Sequence, residues 1–356
     1  MALLALLLAA WAAAVGAVPT RSDCTFTDAA EAMKEKNACS TIRLHDLHVP
    51  AGVTLDLSNL NDGTKVLISG RMRFGFKNWH GPLMSVSGRN ILVQGQASSV
   101  IDGQGYRWWD GKGNNGGKSK PSLFLANHLV DSRIESLSVL NTPVNAFTIT
   151  RADNLYIHNV RIDNSLGDKK GAHNSDGFNI GLSTGVYIDG ARVYNQDDCF
   201  AANSGTNITF INGFCEGGHG ISVGSIGHRL SNVVKGVRVL NSKVVNSDNG
   251  VRIKTIAGAS GSVSDVVFKD ITLSGISKNG IVVQQDYKNS SPTGVPTSGV
   301  PITELTVENV SGTIKPGGTN VYIMCASCSQ WTWENNNVTG GEKIKENKGV
   351  PPEIEL

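Results

Sequence analysis

Charge is scarce in this chain. Asp, Glu, Lys and Arg make up 17% of its 356 residues, against roughly 25% in an ordinary soluble domain. The 32 Lys and Arg balance 30 Asp and Glu to a formal +2, and no basic block stands out. That excludes the electrostatic footprint of a nucleic-acid binder. Aromatics are few, at 6%, and prolines number only 11. Proline and the 41 glycines together are 52 of 356 residues. That falls short of the roughly 25–30% of a low-complexity chain, so disorder is excluded too. Long amphipathic helices are missing; the best candidate is Asp28–Lys36, where Asp28 and Glu31 have the spacing of a capping box. What is plentiful is glycine and asparagine, the latter 31 times, set between short β-branched runs. Frequent turns and short strands follow.

Residues 1–17, MALLALLLAAWAAAVGA, are an apolar run closing on the small residues Val15-Gly16-Ala17. The run is shorter than the ~20 residues of a membrane span. We expect it to be a cleaved signal peptide, and the protein to be secreted and free of the membrane. The six cysteines fall into three local pairs: Cys24 with Cys39, Cys199 with Cys215, Cys325 with Cys328. In a secreted chain an even count suggests disulfides. The Cys325-Ala-Ser-Cys328 spacing also suits half a zinc site or a redox pair, but no second such motif and no later His accompanies it. Sequons at Asn207, Asn289, Asn309 and Asn337 are candidate glycan sites on exposed turns.

One frame recurs along the chain. DSRIESLSVLN begins at Asp131, NLYIHNVRIDN at Asn154 and GVYIDGARVYN at Gly185. NITFINGFCEG follows at Asn207, GVRVLNSKVVN at Gly236, DVVFKDITLSG at Asp265 and ELTVENVSG at Glu304. The starts are 23, 31, 22, 29, 29 and 39 residues apart, a unit of about 22 with loops inserted. Repeats of 20–50 residues mean a solenoid, propeller or array, and propeller blades need about 40. The units are rich in Val and Ile rather than Leu, which disfavours leucine-rich repeats. A parallel β-helix fits, its stacked turns burying a core that no single turn can form. Asn141, Asn164, Asn195 and Asn246 fall at bends, where left-handed backbone or side-chain ladders suit Asn. The N-terminal helix, tied by Cys24–Cys39, is expected to cap the open end. Residues 18–356 are read as a single domain.

The frame also places distant residues side by side. Asp197 and Asp198 lie 12 and 13 residues after Gly185, and His219 lies 12 after Asn207. Asp197 and His219 are thus expected one above the other, about 5 Å apart along the stack. Removing an insertion at 166–174, LGDKKGAHN, brings Asp176 level with Asp198. Arg252 and Lys254 fall on the next turn. A regular strand would turn one of Asp197 and Asp198 into the core, at several kcal/mol, so a bend or bulge is expected there. Crowded carboxylates raise one another's pKa, which supplies an acid and a base from one residue type. Glycosidic hydrolysis needs that pair. Arg252 and Lys254 suit an anionic sugar, and Gly218 and Gly220 beside His219 would let a polymer approach the backbone closely.

Asn174-Ser175-Asp176, Gln196-Asp197-Asp198, Gly218-His219-Gly220 and Arg252-Ile253-Lys254 occur in that order. Together they resemble the four motifs of the polygalacturonases, the pectin-hydrolysing glycoside hydrolases of family 28. NSDNGVRIKT from Asn246 and GIVVQQDY from Gly280 extend the similarity. Ser175 stands where the family usually has Thr. The resemblance implies an all-β, right-handed parallel β-helix with an open cleft. It implies inverting hydrolysis of α-1,4 bonds in polygalacturonic acid, with no metal or cofactor. By position, Asp197 resembles the general acid, and Asp176 and Asp198 the pair that activates water. His219 resembles the residue sustaining the acid's protonation; Arg252, Lys254 and Tyr287 resemble substrate binders. A monomer of endo-acting type is expected, because no long loops are available to block one end of the cleft. The rival readings are a non-catalytic pectin-binding relative, an exo-acting enzyme, and a calcium-dependent pectate lyase on the same fold.

Overall fold

The computed structural model describes residues 21–289, 291–342 and 347–356. The expected leader, 1–17, lies outside them. Among the described residues 29 short strands join into one hydrogen-bonded sheet. The sheet coils as a right-handed parallel β-helix, the hand that parallel crossovers adopt. No helix among the described residues is long and apolar enough to cross a membrane.

Turn-to-turn register follows the sequence frame. Leu155 pairs in parallel with Ser132 on one side and Val186 on the other. The column continues through Ile208, Val237, Val266 and Leu305. The separations, 23, 31, 22, 29, 29 and 39, are those read between the repeat starts.

Alternation explains the interior. In Phe178–Gly181 the burial alternates, Phe178 and Ile180 inward. Successive turns then put like residues over like. Phe124, Phe147 and Phe178 stack with centroids 5.2 and 5.3 Å apart, close to the spacing of the strands that carry them. Phe200 continues the column by register and meets Phe210 at 5.2 Å.

The corners explain the asparagines. Every repeat start is left-handed: Asp131, Asn154, Gly185, Asn207, Gly236, Asp265 and Glu304 all have φ between 48° and 71°. Only Gly adopts that backbone freely, with Asn and Asp next best. A second left-handed row runs Asn159, Gly190, Asn212, Asn241, Asp270 and Asn309. Side chains ladder along it: Asn241 donates to Asn212 at 2.7 Å, and Asn309 to Asp270 at 2.8 Å. The row proposed from sequence is mixed. Asn141 and Asn246 are left-handed. Asn195 is a buried bracket instead, its amide donating to the carbonyls of Ser175, Asp197 and Asp198.

Helix Ala29–Glu35 sits at the N-terminal end of the stack, with Ala29 and Ala32 in the core. Asp28 caps it, accepting from Glu31 N at 2.9 Å, so the helix opens on the N-cap bond that the spacing predicts. The Cys24–Cys39 bridge spans this cap, and Cys199–Cys215 and Cys325–Cys328 also pair. All six thiols are thereby used, which leaves Cys325 and Cys328 no free thiolate for the zinc reading.

Candidate active site

Four adjacent turns build the site. Asp176 and Asp198 are level, Gly177 N donating to Asp198 O at 2.9 Å. His219 N donates to Asp197 O at 2.8 Å, so these two stack as the frame predicts. The register slips between Asp198 and Phe200, a bulge centred on Cys199. Cys199 and Phe200 both go to the core, while Asp197 and Asp198 both line an open cleft of about 1120 Å³. The slip avoids a carboxylate in the core. The loop 166–174 bulges out around a short helix, Gly167–Lys170, as the insertion predicted there.

Each carboxylate has its own surroundings. Asp198 is bound on both oxygens: Arg252 Nη2 and Ser222 Oγ donate to Oδ1 at 2.7 Å, and Lys254 Nζ to Oδ2 at 2.8 Å. Burial opposes its charge, but Lys254 and Arg252 outweigh burial and hold its pKa below the usual range. Asp197 accepts from His219 Nδ1 at 3.0 Å and from its neighbour's backbone N at 2.7 Å on Oδ1, and from Asn174 at 2.9 Å on Oδ2. Burial again opposes charge and is again outweighed, here by His219 and Lys254, which hold the Asp197 carboxyl well below the usual range. Asp176 differs. Burial, then the charges of Asp197 and Asp198, push it well above the carboxylate range. Its partners are amides: Asn179 at 3.4 Å, and Asn145, which donates at 3.2 Å when its amide nitrogen is turned inward. Burial first, and crowding second, therefore single out Asp176 as the carboxylate whose pKa is raised. His219, despite burial, is raised by Asp197.

Ligand atoms of Asp197, Asp198 and His219 lie within 4.8 Å of one another, a spacing that would suit a cation. Arg252 and Lys254 already face both Asp198 oxygens, so the trio is built as an ion-pair network. Lys254 Nζ also lies 5.4 Å from the Tyr287 ring, which brings Tyr287 to the same wall.

The profile of glycosyl hydrolases family 28 matches residues 39–355. The chain belongs to that family.

Endopolygalacturonase 1 of Colletotrichum lindemuthianum is 56% identical over 347 residues, covering 98% of this chain and 96% of that protein. Endopolygalacturonase B of Aspergillus oryzae is 56% identical over 337 residues, covering 93% and 92%. Endopolygalacturonase I of Stereum purpureum, solved with two galacturonates, superposes with a TM-score of 0.84 at 33% identity, covering 92% of this chain and 99% of that one. This family 28 chain is therefore a glycoside hydrolase.

In this hydrolase Ser175 keeps the hydroxyl of the more usual Thr at work. It donates to Gln196 Oε1 at 2.8 Å and accepts from Gln196 N at 2.9 Å. The glycines beside His219 have another reason than polymer access. A Cβ at Gly218 would stand 2.1 Å from Asp197 O, and one at Gly220 2.1 Å from Asn249 O. Turn-to-turn stacking excludes side chains there. Of the sequons, Asn207 and Asn337 are exposed, and Asn289 stands exposed at the cleft rim. Asn309 is half-buried, its amide nitrogen donating to Asp270.

Sequence reasoning missed Asn174, Asn179, Ser222, Asp248 and Lys278. Register carried the signal for two of them: Asn179, Ala201, Ser222 and Arg252 form one column across the cleft floor.

Proposed function

We propose that this protein is a secreted, monomeric endo-polygalacturonase that hydrolyses α-1,4 bonds of polygalacturonic acid with inversion. One observation carries the reading: Asp176, Asp197, Asp198, Arg252 and Lys254 all line a single open cleft. Arg252 offers a planar fork and Lys254 a point charge to a galacturonate carboxylate. Asp197 gives a proton to the leaving oxygen, and His219 at 3.0 Å keeps a proton in that pair. Asp176 and Asp198 orient and activate the attacking water. Activity is then lost as pH rises through the apparent pKa of the Asp197–His219 pair, because that limb removes the shared proton.

The free site favours a second assignment for one step, since its surroundings raise the pKa of Asp176 and lower that of Asp197. There Asp176 would protonate the leaving oxygen and Asp197 would activate water. Azide separates the two, because it attacks without a base. Under the first assignment azide restores Asp176→Gly and yields the inverted galacturonosyl azide, while Asp197→Gly stays inactive. Rescue of Asp197→Gly alone would reverse the two roles.

An open cleft accepts a chain at an interior bond. Viscosity of polygalacturonate is expected to halve when only a few per cent of its bonds are cut. Viscosity falling only in step with released monomer would make the enzyme exo-acting. Reducing ends should form with chelator present and without new ultraviolet absorbance, which a calcium-dependent lyase could not do. Binding without reducing-end release would favour the non-catalytic relative.

A further inference from the structure

His219 has two sides, and the Asp197 pair uses only one. Its Nδ1 meets Asp197 Oδ1 at 3.0 Å. Its Nε2 lies 3.7 Å from Asp248 Oδ2, too far for a hydrogen bond. That same oxygen is 2.7 Å from Lys278 Nζ. The other Asp248 oxygen accepts from Ser277 Oγ at 2.8 Å. The coil itself sets this spacing: Asp248 N donates to Gly218 O and Lys278 N to Asp248 O, each at 2.8 Å. Imidazole, carboxylate and ammonium thus stand on three successive turns, all lining the cleft. The Lys278 side chain is 64% exposed, against 29% for Asp248, so the ammonium is the end free to move.

We propose that Asp248 and Lys278 form a substrate-sensitive positioning pair for His219, in which a carboxylate of the bound chain draws Lys278 away and frees Asp248 to close on Nε2. The proposal rests on the polyanion-hydrolase reading above. In the free protein Lys278 neutralises Asp248, so the ring feels little of its charge. A galacturonate carboxylate in the cleft competes for the same ammonium, which is a rotatable point charge on a flexible stem. Asp248 then holds Nε2–H while Asp197 holds Nδ1–H, and the imidazolium keeps its proton to higher pH. The other charges facing the ring are Asp198 and Arg252, and these are already paired with each other. The shared proton is thus retained most firmly when a chain is present to receive it.

Nuclear magnetic resonance titration of His219, assigned through His219→Gln, tests the pair without needing turnover. In the free protein Asp248→Asn should lower the midpoint and Lys278→Gln should raise it, each by about half a unit for partly exposed charges at this range. A sulfur-linked galacturonate tetramer, which is not cleaved, should raise the midpoint in the wild type and in Lys278→Arg, but not in Lys278→Gln. In kinetics, the alkaline limb of kcat should lie above that of kcat/KM in the wild type, and the two should coincide in Lys278→Gln. An equal tetramer-induced shift in wild type and Lys278→Gln, or none in wild type, would overturn the pair. Hydrolysis alongside unmoved midpoints would defeat this proposal and leave the hydrolase reading intact. Absent hydrolysis alongside the expected midpoints would do the reverse.

Discussion

Asp197→Asn is expected to lower kcat on polygalacturonate by about 10²–10⁴-fold, the usual worth of a positioned acid or base, with KM nearly unchanged. The amide keeps the size and planarity of the carboxylate. Its oxygen can still accept from Asn174 or from His219, the two partners now 2.9 and 3.0 Å away. What is lost is proton exchange with the reacting atoms. Both role assignments place Asp197 at the proton in flight, so the loss does not depend on which is right. On the proposed reading substrate carboxylates bind through Arg252 and Lys254, whose ion pairs are with Asp198 rather than Asp197. Ground-state binding is therefore spared. Steady-state kinetics with circular dichroism as a folding control checks it. A variant retaining more than a tenth of the wild-type kcat would show that Asp197 does not carry the proton.

The second large effect concerns stability. Phe147→Ala should destabilise the protein by about 3–5 kcal/mol, the range for deleting a buried phenyl ring. Phe147 is fully buried and stacks on Phe124 and Phe178 at 5.2 and 5.3 Å. Removing it leaves a gap inside the coil, and neighbours held by two parallel ladders cannot collapse into it. In a solenoid each turn is stabilised chiefly by its neighbours, so a hole here weakens the turns below and above together. The turn above carries Asp176, whose carbonyl accepts from Ala146 N at 2.8 Å. Some loss of activity should therefore accompany unfolding. Guanidinium unfolding followed by tryptophan fluorescence measures it. A loss under about 1 kcal/mol would mean the phenyl column repacks.

Much of this architecture is legible in one dimension because a solenoid repeats its contacts at fixed sequence separation. The spacing from Asp131 to Glu304 is the ladder register itself. The starts are recognisable since they need left-handed backbone, which leaves mainly Asn, Asp and Gly. The second left-handed row, from Asn159 to Asn309, escaped notice although its residue types are the same. It lies five residues after the first, inside strand-like segments where Asn reads as noise. Asn195 escaped for the opposite reason: it looks like a corner residue but acts as a buried bracket.

The scarcity of charge takes on meaning here. Few charges leave the site's own acids and cations with little competition, and the frame alone brings Asp176, Asp197, Asp198, His219, Arg252 and Lys254 to one strip. Types, order and spacing determine that they meet. Only the tertiary structure decides which carboxylate holds a proton, because that depends on distances of 3 to 4 Å and on burial. His219 and Lys254 lower the pKa of Asp197, Lys254 and Arg252 do the same for Asp198, and burial with two negative neighbours raises that of Asp176 against the pull of Lys254. The role of Gly218 and Gly220 was likewise settled by carbonyls of adjacent turns, and the Asp248–Lys278 pair by stacking at a corner. Register is a property of the chain; the proton's position is a property of the field that the folded chain creates.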